Sequence, residues 1–351
     1  MSSIVANTPV DTSRPSLGRR VLNLPNLFSL SIALFLVYFL IAGFDFDSRE
    51  TWERLTGSNL AWYALAFGCY YLVFPIRGLR WRFLLEGAGC EGGVGFRRLP
   101  ILRLAEISFL GWFVNTITVF RMGYFYRCHL LSRQIKSSLA LVAGSLFGER
   151  ILDTVVTFAL LLVAALGLLS TSAASVVGPV LLGTFLASLV LAGAAIAMTL
   201  AGRNPAGMLP TRLRPGYSSF RHGTLKGFRR WPWLGILSIA IWACEVARLL
   251  LVIEALDLSV DLPLVMFVAL AVSLITSFPI TPGGLGLAEA GLTGLLTTAL
   301  SWEEAVSVAL LDRSVNYLSV LVFGGALFLA RSLRGWDTSD RTQPMKILPS
   351  L

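Results

Sequence analysis

Between Phe278 and Gly286 the chain reads Phe-Pro-Ile-Thr-Pro-Gly-Gly-Leu-Gly, with two prolines and three glycines in nine residues, inside the long apolar stretch Leu262–Leu300. Proline removes a backbone donor and glycine loosens the backbone, so no regular helix runs through this segment. In lipid, the freed N–H and C=O groups need partners, and such a turn must be buried in protein or line a wet cavity. Composition points to lipid. The chain is 55% hydrophobic and 14% charged, with a mean hydropathy of +0.73, where soluble domains carry about 25% charged residues. The expected element is a re-entrant hairpin of two half-helices in a polytopic, all-α membrane protein.

A second stretch, Leu104–Lys136, is apolar and similarly interrupted, and the two are related. At an offset of 163 residues, without a gap, Val119-Phe120-Arg121-Met122-Gly123 aligns with Pro282-Gly283-Gly284-Leu285-Gly286. Glu149-Arg150-Ile151-Leu152-Asp153 aligns with Asp312-Arg313-Ser314-Val315-Asn316, Thr118 with Thr281, and Ser138 with Ser301. Charged pairs within apolar helices are costly. Finding one twice, each downstream of a broken stretch, suggests a transporter built from two related halves.

Six further stretches are long and apolar enough to be full spans: Leu27–Phe44, Leu60–Ile76, Ile151–Leu169 (starting as early as Leu139), Val176–Ala201, Trp231–Leu256 and Val306–Ala330. The last follows a capping box, Ser301-x-x-Glu304. Arg203–Arg230 holds seven Lys/Arg and no acid, and Arg77–Arg103 six basic residues against two acids. Asp45–Arg54 has four acids and two arginines. The positive-inside rule then places both termini in the cytoplasm. It makes the halves, about 60–169 and 231–330, inverted in the membrane, with residues 1–26 and 331–351 as cytoplasmic ends. Eight kinked spans are the alternative count.

The net charge of +9 reads as topology signal and anionic-lipid contact rather than nucleic-acid binding. Cys69, Cys90, Cys128 and Cys244 lack metal or redox spacing, and neither His129 nor His222 neighbours a second ligand. Gly92-Gly93-x-Gly95 lacks the lysine of a nucleotide loop. No cofactor is implied. The apolar run after Arg14, Arg19 and Arg20 reads as a retained first helix, since no cleavage site follows it.

Within a helix Arg150 and Asp153 share a face, while Glu149 points toward another helix. A guanidinium facing an intramembrane cavity suits a lipid phosphate, because its planar fork binds two oxygens. Asp312, Arg313 and Asn316 repeat the arrangement. These groups either receive an anionic headgroup or fasten the halves together as ion pairs. Arg121 and Arg127 draw headgroups from the cytoplasmic leaflet or snorkel. Glu289, in a helix first turn, binds a cationic headgroup or couples transport by exchanging a proton, or else caps the helix or pairs with Arg313. Pro282, Gly283, Gly284 and Gly286 form a gate or simply a turn. Glu245 and Arg248 read as a structural pair on one helix face, and Arg80-Trp81-Arg82 as an interfacial anchor.

The sequence resembles the flippase-like membrane domain of the lysylphosphatidylglycerol synthase family. The resemblance rests on Arg80-Trp81-Arg82, on Asn115 with Arg121-x-Gly123-x-x-x-Arg127, and on Glu149-Arg150-x-x-Asp153. It rests most of all on Thr281-Pro282-Gly283-Gly284-Leu285-Gly286-x-x-Glu289, followed by Asp312-Arg313-x-x-x-Tyr317. Val119 and Tyr124 depart from it, standing where the family carries a proline and an acid. With about 20 residues after the last span, no aminoacyl-transferase domain is expected. The resemblance implies movement of a polar, phosphate-bearing lipid between leaflets of a bacterial or archaeal-type plasma membrane. The alternatives are a scaffold or accessory subunit for a lipid-modifying or glycolipid synthase partner and, less favoured, an intramembrane lipid transferase.

Overall fold

The computed structural model describes residues 53–90, 96, 99–168, 174–200, 210–211, 213–277 and 281–333. The expected span 27–44 and both terminal segments, 1–26 and 334–351, lie outside the described residues. Among these residues the protein is helical, with no strand. The helices are α1 Leu60–Gly87, α2 Ile101–Ile117, α3 Gly123–Ile135, α4 Leu139–Leu168, α5 Ala174–Leu200 and α6 Arg214–Lys226. There follow α7 Trp231–Ala255, α8 Leu262–Ile275, α9 Leu287–Leu296, α10 Trp302–Arg313 and, after two π-helical turns (Ser314–Leu318 and Val320–Gly324), α11 Gly325–Leu333.

Four stretches, Leu60–Gly87, Leu139–Leu168, Arg214–Ala255 and Trp302–Arg331, are long and apolar enough to cross a membrane. Large apolar side chains such as Leu65, Val163, Leu166 and Ile239 are exposed on their outer faces. In water that would be a liability, whereas lipid is their natural solvent. The core lies between α1, α4, α7, α8 and α10, around Phe74, Leu161, Val252, Phe267 and Val308.

Helix ends are held by local chemistry. Asn59 caps α1 by accepting from Ala61 N–H at 3.0 Å, and its own N–H donates to the Ala255 carbonyl at 2.7 Å, tying the start of α1 to the end of α7. The capping box at α10 is present: Glu304 N–H donates to Ser301 Oγ at 3.3 Å and Ser301 N–H to Glu304 Oε2 at 3.0 Å. Ser301→Ala should lower stability by about 1 kcal/mol; an unchanged thermal midpoint would show that the cap contributes nothing.

Both interrupted stretches double back. Gly123, at the start of α3, packs on Gly111 and Asn115 of α2, and Gly291 of α9 lies against Val272 and Ile275 of α8. The connecting turns repeat one another in backbone angle at the 163-residue offset. Thr118 (φ −121°, ψ 149°) matches Thr281 (φ −123°, ψ 150°), and Phe120 (φ 58°, ψ 19°) matches Gly283 (φ 58°, ψ 15°). Arg121 and Gly284 follow with φ of 51° and 73°. The paths part at Met122 and Leu285, whose ψ angles are −15° and 135°.

Candidate functional site

Arginines from the long helices meet the carboxylates of α4 and α10. Arg80 of α1 is completely buried. It donates to Asp153 of α4, to Glu149 of α4 at 3.0 Å and to Ser238 Oγ of α7 at 2.8 Å, joining three helices. Glu149 also accepts from Arg127 of α3 at 3.2 Å, and the Arg127 guanidinium lies 4.5 Å from the centre of the Trp81 ring. On the other side, Arg248 of α7 contacts Asp312 of α10 and, at 3.3 Å, Glu245 on its own helix. Arg77 of α1 approaches Glu245 at 3.7 Å. Asn316 Nδ2 donates to Asp312 at 2.7 Å. Arg313 meets Glu289 at 2.8 Å and donates to the Gly284 carbonyl at 3.0 Å.

The five carboxylates can be matched one to one. Arg77 serves Glu245, Arg80 Asp153, Arg127 Glu149, Arg248 Asp312 and Arg313 Glu289. Arg121 and Arg150 remain. Among the described residues neither forms an ion pair. Both instead donate to the hydroxyl of Tyr124, Arg121 at 3.4 Å, and the Arg150 guanidinium stacks 4.7 Å from the centre of that ring. Arg121 also donates to the Thr276 carbonyl.

A cavity of about 170 Å³ opens where the two turns abut. Of the residues expected at a site, Arg121, Arg150, Asp153, Glu289, Asp312, Arg313 and Asn316 line it, with Gly283 and Gly284 at its floor. Glu149 and Arg127 stand behind Asp153, buried in the ion-pair network. Pro282 belongs to the same turn and Gly286 follows it, both outside the lining.

The arginines of α1 are placed differently from expectation. Loop counting ends the span at Ile76 and makes Arg77–Arg103 a basic loop with an interfacial anchor at Arg80-Trp81-Arg82. Instead α1 runs on to Gly87, and Arg77 and Arg80 are 8% and 0% exposed. Charge composition cannot tell a solvated arginine from one whose carboxylate lies 69 or 73 residues away in sequence. Glu245 and Arg248 form the expected pair, but they also face the cavity. Tyr124 and Trp112 were not expected at the site. An aromatic residue one turn from a buried arginine is a weak signal, because apolar helices are full of them.

Residues 26–324 match the family described as the lysylphosphatidylglycerol synthase TM region. The chain belongs to this family. Among its relatives, a UPF0104 membrane protein of Methanocaldococcus jannaschii is 26% identical over 223 residues, covering 62% of this chain and 93% of the relative. A UPF0104 membrane protein of Methanothermobacter thermautotrophicus is 25% identical, covering 85% and 90%. Glycosyltransferase AglD of Haloferax volcanii is 25% identical across 90% of this chain, a match that spans 55% of AglD. The family is described as the transmembrane region of a lipid synthase, and this member is an integral membrane protein of apolar helices.

Proposed function

We propose that this protein moves a polar, phosphate-bearing lipid between the leaflets of the plasma membrane. The observation that carries the reading is the cavity between the two broken hairpins, which Arg121 and Arg150 line without an ion-pair partner among the described residues. A fork of N–H donors in a site of low dielectric suits a phosphate. In this reading the hairpins are re-entrant, six full spans surround them, the halves are inverted and both termini face the cytoplasm. Arg121 and Arg150 contact the headgroup, and Arg313 joins them when Glu289 releases it, the exchange that couples the cycle. Asp153, Glu149 and Asp312 fix Arg80, Arg127 and Arg248 around the cavity. The Pro282–Gly286 turn is the gate.

The test is reconstitution in liposomes with fluorescent lipids of anionic, zwitterionic and cationic headgroup and an impermeant quencher. Quenching beyond the outer half, selective for one class, is expected, and Arg150→Ala should slow it about tenfold or more. Absence of protein-dependent quenching for every lipid, with and without a proton gradient and a membrane potential, would sink the reading.

A second reading has one observation in its favour. AglD extends well beyond the region it shares with this chain and bears the name of a glycosyltransferase. A membrane subunit serving a separate glycolipid synthase would then show no transport by itself, and its deletion phenotype would follow that of the partner enzyme.

A further inference from the structure

The charge balance of the ion-pair network identifies the ligand more closely. Resting on the lipid-translocation reading, we propose that the group received by the cavity is a phosphate monoester, bound as a dianion between Arg121 and Arg150. Among the described residues, once each carboxylate is matched with its own arginine, those two guanidiniums are the surplus, so this network carries two positive charges in excess. The two converge on one neutral atom, the Tyr124 hydroxyl oxygen, from the first turn and from α4. Two like charges directed at one point repel each other in a medium of low dielectric, and buried positive charge is tolerated where an anion completes it. A phosphate diester carries one negative charge and leaves one guanidinium uncompensated. A monoester carries about −1.5 to −2 at neutral pH and presents three terminal oxygens, which balances both guanidiniums. From the cavity that both arginines line, its oxygens replace the Tyr124 hydroxyl, which lies outside that lining, as the acceptor for both guanidiniums. Glu289 is held by Arg313, so the acid nearest the second turn is not free to favour a cationic headgroup.

Phosphatidic acid and phosphatidylglycerol with the same fluorescent acyl chain differ by the headgroup glycerol that turns the monoester phosphate into a diester, and they are the probes. In proteoliposomes phosphatidic acid should cross about tenfold faster than phosphatidylglycerol. Arg121→Gln should bring that ratio toward one, and Arg121→Lys, which keeps the charge, should preserve the ratio at a lower rate. A structural role alone would change both rates together and leave the ratio alone. Each variant is first checked for a monodisperse elution profile, and Arg150→Gln provides the same readout if Arg121→Gln does not fold.

Equal or faster movement of phosphatidylglycerol would overturn the monoester assignment and leave translocation standing. If neither lipid crosses, translocation fails, and binding to the detergent-purified protein decides the ligand alone. Tenfold tighter binding of phosphatidic acid supports the dianion site, and equal binding overturns it. Radiolabelled inorganic phosphate is offered outside the same vesicles. Its protein-dependent entry, without movement of phosphatidic acid, would assign the dianion site to free phosphate and overturn the lipid.

Discussion

Glu149→Ala is expected to destabilise the protein by about 3–5 kcal/mol, the cost of leaving buried charge without its partner. Glu149 is 3% exposed and accepts from both Arg80 and Arg127, which are themselves 0% and 1% exposed. Removing the carboxylate leaves Arg127 with no other ion pair among the described residues and takes one of two acids from Arg80, which keeps Asp153. The helices that diverge are α1, α3 and α4, so the loss is global. Thermal unfolding of the detergent-purified protein should show a midpoint lowered by about 4–7 °C. Glu149→Gln keeps an acceptor oxygen in place and should lie between the variant and the parent. A shift of no more than about 2 °C for Glu149→Ala would mean that the network is not what holds these helices.

The second large effect is steric. Gly123 begins α3, and its N–H donates to Asn115 Oδ1 at 2.8 Å. A Cβ added at Gly123 would lie well within the Gly111 carbonyl oxygen and 2.6 Å from Asn115 Oδ1, so a methyl group must push α2 and α3 apart. Backbones approach this closely only where both surfaces are small. Gly123→Ala should cost about 3 kcal/mol, the upper end of the overpacking range, and displace the turn that carries Arg121. Gly68→Ala is the control. Gly68 sits inside α1 with nothing within 4 Å of the added Cβ, so the change should be neutral or stabilising by up to about 1 kcal/mol. If both variants melt alike, close approach at Gly123 is not the constraint.

Several features were legible in the sequence because each rests on a local rule. Hydropathy alone delimits α7 to within a residue. The Pro-Gly-Gly run reveals its turn, and Ser301 with Glu304 its cap. The 163-residue offset anticipates that Thr118 and Thr281 share one backbone conformation, although Phe120 and Gly283 are chemically unlike and a side chain at positive φ is uncommon. What could not be read is partner choice. Arg80, Arg127 and Arg150 look alike in sequence, yet the first two are neutralised by Glu149 and Asp153 and the third is left to Tyr124. That division depends on how α1, α3 and α4 pack, which no short-range pattern encodes. Arg313 and Glu289, separated by a single connection between neighbouring helices, were within reach of such reasoning.

The hydrogen bond from Arg313 to the Gly284 carbonyl has a wider meaning for where a reverse turn can exist. A loop at a protein surface leaves its carbonyls to water, which is abundant and exchanges freely. Gly284 is buried, and its carbonyl faces a guanidinium fixed on α10. The arginine acts as the turn's solvent: one polar group, covalently delivered, that stabilises a single backbone shape. Any rearrangement of that turn is therefore tied to the position of α10, as a surface loop never is to its water.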